Sequence, residues 1–158
     1  MVTSRSEYAE LQGRTVLIVD DQEDVAETLA DQLSTIGMEV AGIATCSGDA
    51  LAMVADLDPA LIILDIAMPE MDGIELLAKI KTLDPLAVVV IITGHPTFES
   101  VQSVLRLGGY DYINKPFNIS DMSFIVNRGI AYHDMLLLNV KLKKDIEARN
   151  TVLEEKVK

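Results

Sequence analysis

The chain is expected to fold as an α/β domain, doubly wound: a parallel five-stranded sheet between two layers of helices, followed by one long C-terminal helix. Three observations predict it. Short β-branched apolar runs alternate with amphipathic stretches along the 158 residues. The runs are apolar nearly throughout, as parallel strands buried on both faces require. The last helical stretch then continues far beyond the fifth run.

Each element has a local reason. "TVLIV" (15–19) is too short for a stable helix and rich in β-branched residues, hence a strand. Val25, Leu29, Leu33 and Ile36 follow at helical spacing, and Gly37 is a stop signal. "EVAGIA" (39–44) is the second strand, and "GDALAMVADL" (48–57) the second helix, ended by Pro59. "LIIL" (61–64) leads to a third helix carrying Ile74, Leu77, Ala78 and Lys81 on one face, stopped at Asp84-Pro85. "AVVVIIT" (87–93) precedes a fourth helix with Val101, Val104 and Leu105, ended by Gly108-Gly109. "DYIN" (111–114) is the fifth strand. Right-handed crossovers make these five β-α units a three-layer sandwich, for which strand order 2-1-3-4-5 is expected.

Composition narrows the function classes. The net charge is −12, with a pI near 4.4. Such a chain is repelled by nucleic-acid phosphates and by anionic membrane surfaces, so neither is an expected partner. The single cysteine, Cys46, allows no internal disulfide. The polar start "MVTSRSEYAELQGR" lacks the apolar core of a signal peptide, and the longest apolar run, Leu86 to Ile92, is too short to span a bilayer. A cytoplasmic location is expected.

In open parallel sheets ligands bind beyond the carboxyl ends of the strands. Strand one ends in Asp20-Asp21, strand three in Asp65, strand four in Thr93-Gly94 and strand five in Lys115-Pro116. Three carboxylates, a hydroxyl and an amine thus gather at one edge. Close carboxylates raise one another's pKa unless a cation offsets them, and hard oxygen donors suit Mg²⁺. A divalent ion, a hydroxyl and an ammonium around one carboxylate suit phosphoryl handling, with Asp65 as nucleophile. Taken singly, each residue has an ordinary reading: a capping Asp pair before a helix, a solvated loop Asp, a structural Thr or Lys. Their joint placement at one sheet edge favours the chemical reading.

The motifs "LIVDDQ" (17–22), "LIILDIAMPEMDG" (61–73), "VVIITGH" (89–95) and "GGYDYINKPF" (109–117) resemble those of response-regulator receiver domains of two-component signalling, which are flavodoxin-like. The resemblance covers about residues 14–128. It implies that Asp65 is the phospho-acceptor, that Asp21, Asp65 and the Ala67 carbonyl bind Mg²⁺ with Asp20 assisting through water, and that Thr93 and Lys115 contact the phosphoryl group. It further implies a cis peptide before Pro116 and a switch pair of Thr93 and Tyr112, with Tyr110 outside it. The expected function is a phosphorylation-activated switch, not an enzyme, charged by a histidine kinase or phosphotransfer protein. Ala67 has no polar side-chain atom to orient a hydrolytic water, and His95 is expected to face solvent.

The chain is expected to divide into an N-terminal extension (1–13), a receiver domain (14–128) and a helical or coiled-coil linker (129–158) leading to an output domain. From Ile119 on there is no proline, and Gly129 is the only glycine. Tyr132, Met135, Asn139, Leu142, Ile146 and Leu153 fall on one heptad seam, broken by Arg149 and Lys156, which suggests a parallel homodimer. Two other readings compete. A Mg²⁺-dependent phosphatase or hydrolase would want a general acid close behind Asp65, and Ile66-Ala67 offers none. A phosphorylation-independent scaffold would have no use for the full acidic set.

Overall fold

The computed structural model describes residues 11–68, 71–94, 96–115 and 117–157. Five strands form one parallel sheet: β1 (Thr15–Val19), β2 (Glu39–Ala44), β3 (Leu61–Asp65), β4 (Val89–Thr93) and β5 (Asp111–Asn114). Their order is β2-β1-β3-β4-β5, so the chain reverses its direction of winding between β1 and β3. The expected fold is the one observed. β3 and β4 are buried along their whole length, which is why their sequences carry no alternation.

The helices are α1 (Glu23–Thr35), α2 (Ser47–Leu57), α3 (Gly73–Leu83), α4 (Phe98–Arg106) and α5 (Ile119–Val157). Their ends follow from local chemistry. The Asp72 carboxylate caps α3 by accepting from the N–H groups of Ile74 and Glu75. Thr97 and Ser100 form a reciprocal capping box on α4. Gly37 (φ +100°) and Gly108 (φ +93°) supply the left-handed turns that follow α1 and α4.

Alternate residues of each strand feed two cores. On one face, Val16, Ile18, Leu61, Ile63, Val90 and Ile92 pack with Leu29 and Leu33 of α1 and Met122, Val126 and Ile130 of α5. On the other, Leu17, Val19, Ile62, Leu64, Val89 and Ile91 meet α2, α3 and α4 through Val54, Leu77, Ile80 and Val104. Leu11 is fully buried in the first core.

The last helix is continuous for 39 residues, about 58 Å at 1.5 Å per residue. Its glycine has a packing reason: a Cβ on Gly129 would lie 2.7 Å from Leu61 Cδ1, so the helix runs close over the start of β3. Of the expected heptad seam, Tyr132 stacks on Tyr110, whereas Met135, Leu142 and Ile146 are more than half exposed or nearly so. Among the described residues, no helix is long and apolar enough to cross a membrane.

Candidate functional site

The three acidic residues meet beyond the carboxyl ends of the adjacent strands β1 and β3. One carboxylate oxygen from each of Asp20, Asp21 and Asp65 lies within 4.8 Å of the others. Asp20 is 1% and Asp65 4% exposed, while Asp21 is half-buried. Burial on this scale is unusual for aspartate and demands compensation. Part of it is local. Asp20 Oδ1 accepts from the Gln22 N–H at 2.9 Å, in the turn leading into α1. The N-cap of that helix is Gln22 itself and makes no side-chain cap, so the acidic pair does not serve as one.

Asp20 Oδ2 is buried and makes no hydrogen bond. Burial is the chief cause that pushes its carboxyl above the ordinary value of 3.8, with repulsion from Asp65 and Asp21 adding to it. The Gln22 N–H and the Lys115 ammonium pull the other way without cancelling the rise. An unpaired buried oxygen beside two further carboxylates is the donor set a hard divalent cation fits.

One cation of the site is built into the chain. Lys115 Nζ donates to Asp65 Oδ2 at 3.0 Å. It is positioned by the backbone, since the Lys115 N–H donates to the Thr93 carbonyl at 2.8 Å. That bond also ties the end of β5 to the end of β4. Thr93 is 3% exposed and is the last residue of β4, whose neighbour Ile92 is in register with Asp65. Tyr112 lies in β5 opposite Ile91 and is half-buried against the core under α4.

After Asp65 the chain turns through Ile66 into a two-residue antiparallel ladder, in which Ala67 pairs with Asp72. Gly73 closes this turn. A Cβ there would stand 2.4 Å from Ile66 Cα, so only glycine lets α3 begin so near the loop that follows Asp65. His95, Pro116 and Pro69, and with them the expected cis peptide, lie outside the described residues.

The structure thus brings Asp20, Asp21, Asp65, Thr93 and Lys115 to one sheet edge, with Ala67 two residues beyond Asp65. The family model for the response regulator receiver domain matches residues 16–127. The chain belongs to the response regulator receiver domain family. A putative response regulator NtrX-like of Rickettsia bellii is 37% identical over 133 residues, covering 83% of this chain and 28% of that protein. The chemotaxis protein CheY of Thermotoga maritima is 34% identical over 116 residues, 73% of this chain and 97% of that one. The crystal structure of NtrX from Brucella abortus aligns with a TM-score of 0.76 at 34% identity, over 84% of this chain and 30% of that one. The receiver therefore spans under a third of the NtrX-type relatives it matches.

One feature of the receiver's surface has no motif in its sequence. A groove of about 510 Å³ opens beside Lys115, lined by Gln22, Val25, Thr28 and Gln32 at the start and along α1 and by Phe117 after β5. The residues come from separate segments joined only by the fold, so no local pattern announces them.

Proposed function

We propose that this receiver accepts a phosphoryl group on Asp65 from a histidine kinase or phosphotransfer protein and passes the change to α5. The observation that carries the proposal is the Asp20–Asp21–Asp65 cluster, two of its carboxylates buried, with Lys115 hydrogen-bonded to Asp65. An Asp65 oxygen attacks phosphorus in line, the P–O bond forms, and the bond from phosphorus to the donor nitrogen breaks, leaving the donor imidazole neutral. Asp20, Asp21, Asp65 and the Ala67 carbonyl would hold Mg²⁺, which supplies charge neutralisation for the carboxylates and the incoming phosphoryl oxygens. Lys115 moves from the carboxylate to a phosphoryl oxygen, and the Thr93 hydroxyl donates to another. Tyr112 follows Thr93 inward as the second half of a two-state switch. No substrate is turned over, so the protein is a switch and not an enzyme.

The groove between α1 and Phe117 opens beside Lys115, which suits it to seat the donor's helix. On α5, Met135, Leu138, Leu142 and Ile146 form an exposed apolar stripe. Met135 follows the fully buried Val126 by nine residues, two and a half turns, so the stripe faces away from the domain. A second copy can pair along it while the domain stays docked, giving a cytoplasmic homodimer. An output domain following α5 would receive the signal.

Incubation with Mg²⁺ and acetyl phosphate tests the central claim. The expected product is a base-labile adduct of one phosphoryl group, absent from Asp65→Asn. An adduct that persists in Asp65→Asn, or none in either protein, would overturn it.

A further inference from the structure

Two contacts hold α5 at a place the phosphoryl site does not explain. The Arg14 guanidinium makes a two-pronged ion pair with Asp134, Nη1 to Oδ1 at 2.7 Å and Nη2 to Oδ2 at 2.5 Å. The Tyr110 and Tyr132 rings stack with centroids 5.0 Å apart and planes inclined by 28°. Arg14 immediately precedes β1, and Tyr110 immediately precedes β5. In a parallel sheet both therefore stand at the amino edge, opposite the edge that bears Asp65.

Asp134 and Tyr132 belong to one turn of α5, the last before the helix loses cover. Ile130 is fully buried and Leu136 still packs on the core, while Leu137, Leu138, Leu142 and Ile146 are exposed. Two contacts on one turn, from the residues leading into two different strands, fix both the tilt of the helix and its rotation about its own axis. A forked guanidinium adds direction that a point charge would not.

β5 connects this turn to the acceptor. Tyr110 N–H donates to the Val89 carbonyl at one end of the strand. Lys115 holds Asp65 at the other, five residues on, or about 16 Å. The strand between is hydrogen-bonded to β4 throughout, from Asp111 opposite Val90 to Asn114 opposite Thr93. Such a strand moves as a unit more readily than it stretches.

We propose that Arg14–Asp134 and Tyr110–Tyr132 are a two-point latch setting the direction in which α5 leaves the domain, and that β5 carries phosphorylation of Asp65 to it. The coupling rests on Asp65 as acceptor; the latch does not. Lys115, drawn toward added phosphoryl oxygens, pulls β5 toward the acceptor edge. Tyr110 is withdrawn from Tyr132, and the latch weakens. Arg14, Tyr110, Tyr132 and Asp134 are positioning residues for the output helix.

Hydrogen exchange of the whole chain at fixed pH reads the latch, with exchange in β3 as the control for folding. Arg14→Asp and Tyr132→Ala should each raise exchange in residues 131–138 severalfold while β3 stays protected. The exchanged pair Arg14→Asp with Asp134→Arg should restore the original rate. Beryllofluoride with Mg²⁺ should raise exchange at 131–138 in the original chain and add little in Tyr132→Ala. Fluorine NMR reports independently whether the mimic is bound. Unchanged exchange in both single variants, or no rescue by the exchanged pair, would overturn the latch. Bound mimic without a change at 131–138 would overturn the coupling alone. Absence of bound mimic would overturn the acceptor reading and the coupling with it, leaving the latch to be judged from the unligated chains.

Discussion

Lys115 Nζ lies 3.0 Å from Asp65 Oδ2, so the Asp65 carboxylate already holds one cation before any other arrives. The ammonium and a divalent ion would offset the same negative charge. Each therefore weakens the need for the other. Lys115→Ala should tighten Mg²⁺ binding by about 3- to 10-fold, since a like charge is removed from a site of low dielectric. The same variant should unfold more easily in EDTA, by about 1–2 kcal/mol, less than a fully buried pair would cost because the lysine is partly solvated. Calorimetric titration with Mg²⁺ and denaturant unfolding check the two halves. Unchanged Mg²⁺ affinity would separate the ammonium from the charge balance of the site.

Asp20 gives the site a pH dependence with a definite sign. Its carboxyl is raised above 3.8, chiefly by burial. A raised carboxyl favours folding below its unfolded pKa, and that contribution is lost as pH rises through the folded value. Without metal, Asp20 therefore destabilises the domain at neutral pH. Asp20→Asn should raise the melting temperature in EDTA at pH 7.5, and the gain should shrink as pH falls toward the unfolded pKa. Mg²⁺ should stabilise the original chain at pH 7.5 and less at pH 5. Scanning calorimetry at the two pH values decides; a gain that grows on acidification would refute the assignment.

Gly73 and Ile66 meet so closely that the loop after Asp65 depends on a missing methyl group. The clash facing Gly73→Ala is with backbone, 2.4 Å from Ile66 Cα, and no rotamer relieves it. Alanine gains about 0.5–1 kcal/mol in helix propensity, but overpacking costs about 1–3 kcal/mol, so a net loss is expected. Because Ile66 follows Asp65 directly, phosphoryl uptake should slow as well. Denaturant unfolding and acetyl phosphate kinetics measure both effects. Full stability with a normal rate would mean that the loop yields freely.

The sheet and its acidic edge were legible because burial leaves a simple signature. Strands covered on both faces read as short apolar runs, and the first polar residue after each run marks the open edge. That is how Asp20, Asp65 and Thr93 stand out, whereas Lys115 follows the polar Asn114 and is marked only by its place at the same edge. β4 begins at Val89 rather than Ala87, since Ala87 and Val88 are buried without belonging to the ladder, and apolarity alone does not separate the two cases. Tyr112 of β5 and Tyr110 just before it are harder to read. Tyr112 faces the core under α4, whereas Tyr110 lies just outside the strand and turns to α5, so alternation gives it no direction. Arg14 and Asp134 are 120 positions apart, and no local pattern pairs them. The exposed stripe of α5 was partly hidden because the helix is apolar on two sides, one for its own domain and one away from it.

Ala67 comes two residues after Asp65, and its side chain has no polar atom. Ala67→Asn should shorten the phosphoryl lifetime on the order of tenfold by orienting a water, less than a positioned general base supplies. Release of phosphate from the purified phosphoprotein in Mg²⁺ gives the lifetime directly. Equal lifetimes in the two proteins would place the control of hydrolysis elsewhere.

The stripe on α5 predicts how the chain associates. Met135, Leu138, Leu142 and Ile146 are about half exposed or more, and they share a helix face turned from the buried Val126. Exposed leucines in such a row are unfavourable unless covered, and a second copy would cover them by the same residues. Sedimentation of the chain should show a dimer in the micromolar range. Leu142→Glu would place an unpaired charge in the middle of that interface and should raise the dissociation constant at least about 100-fold, or ~2.7 kcal/mol. It should leave the melting of the domain unchanged, because Leu142 lies beyond the last packed turn. Asn139 sits beside the stripe, where a polar residue sets register at some cost in affinity. Asn139→Leu should therefore tighten the dimer while admitting larger assemblies. A monomer at all concentrations, or a dimer indifferent to Leu142→Glu, would assign the stripe to another partner.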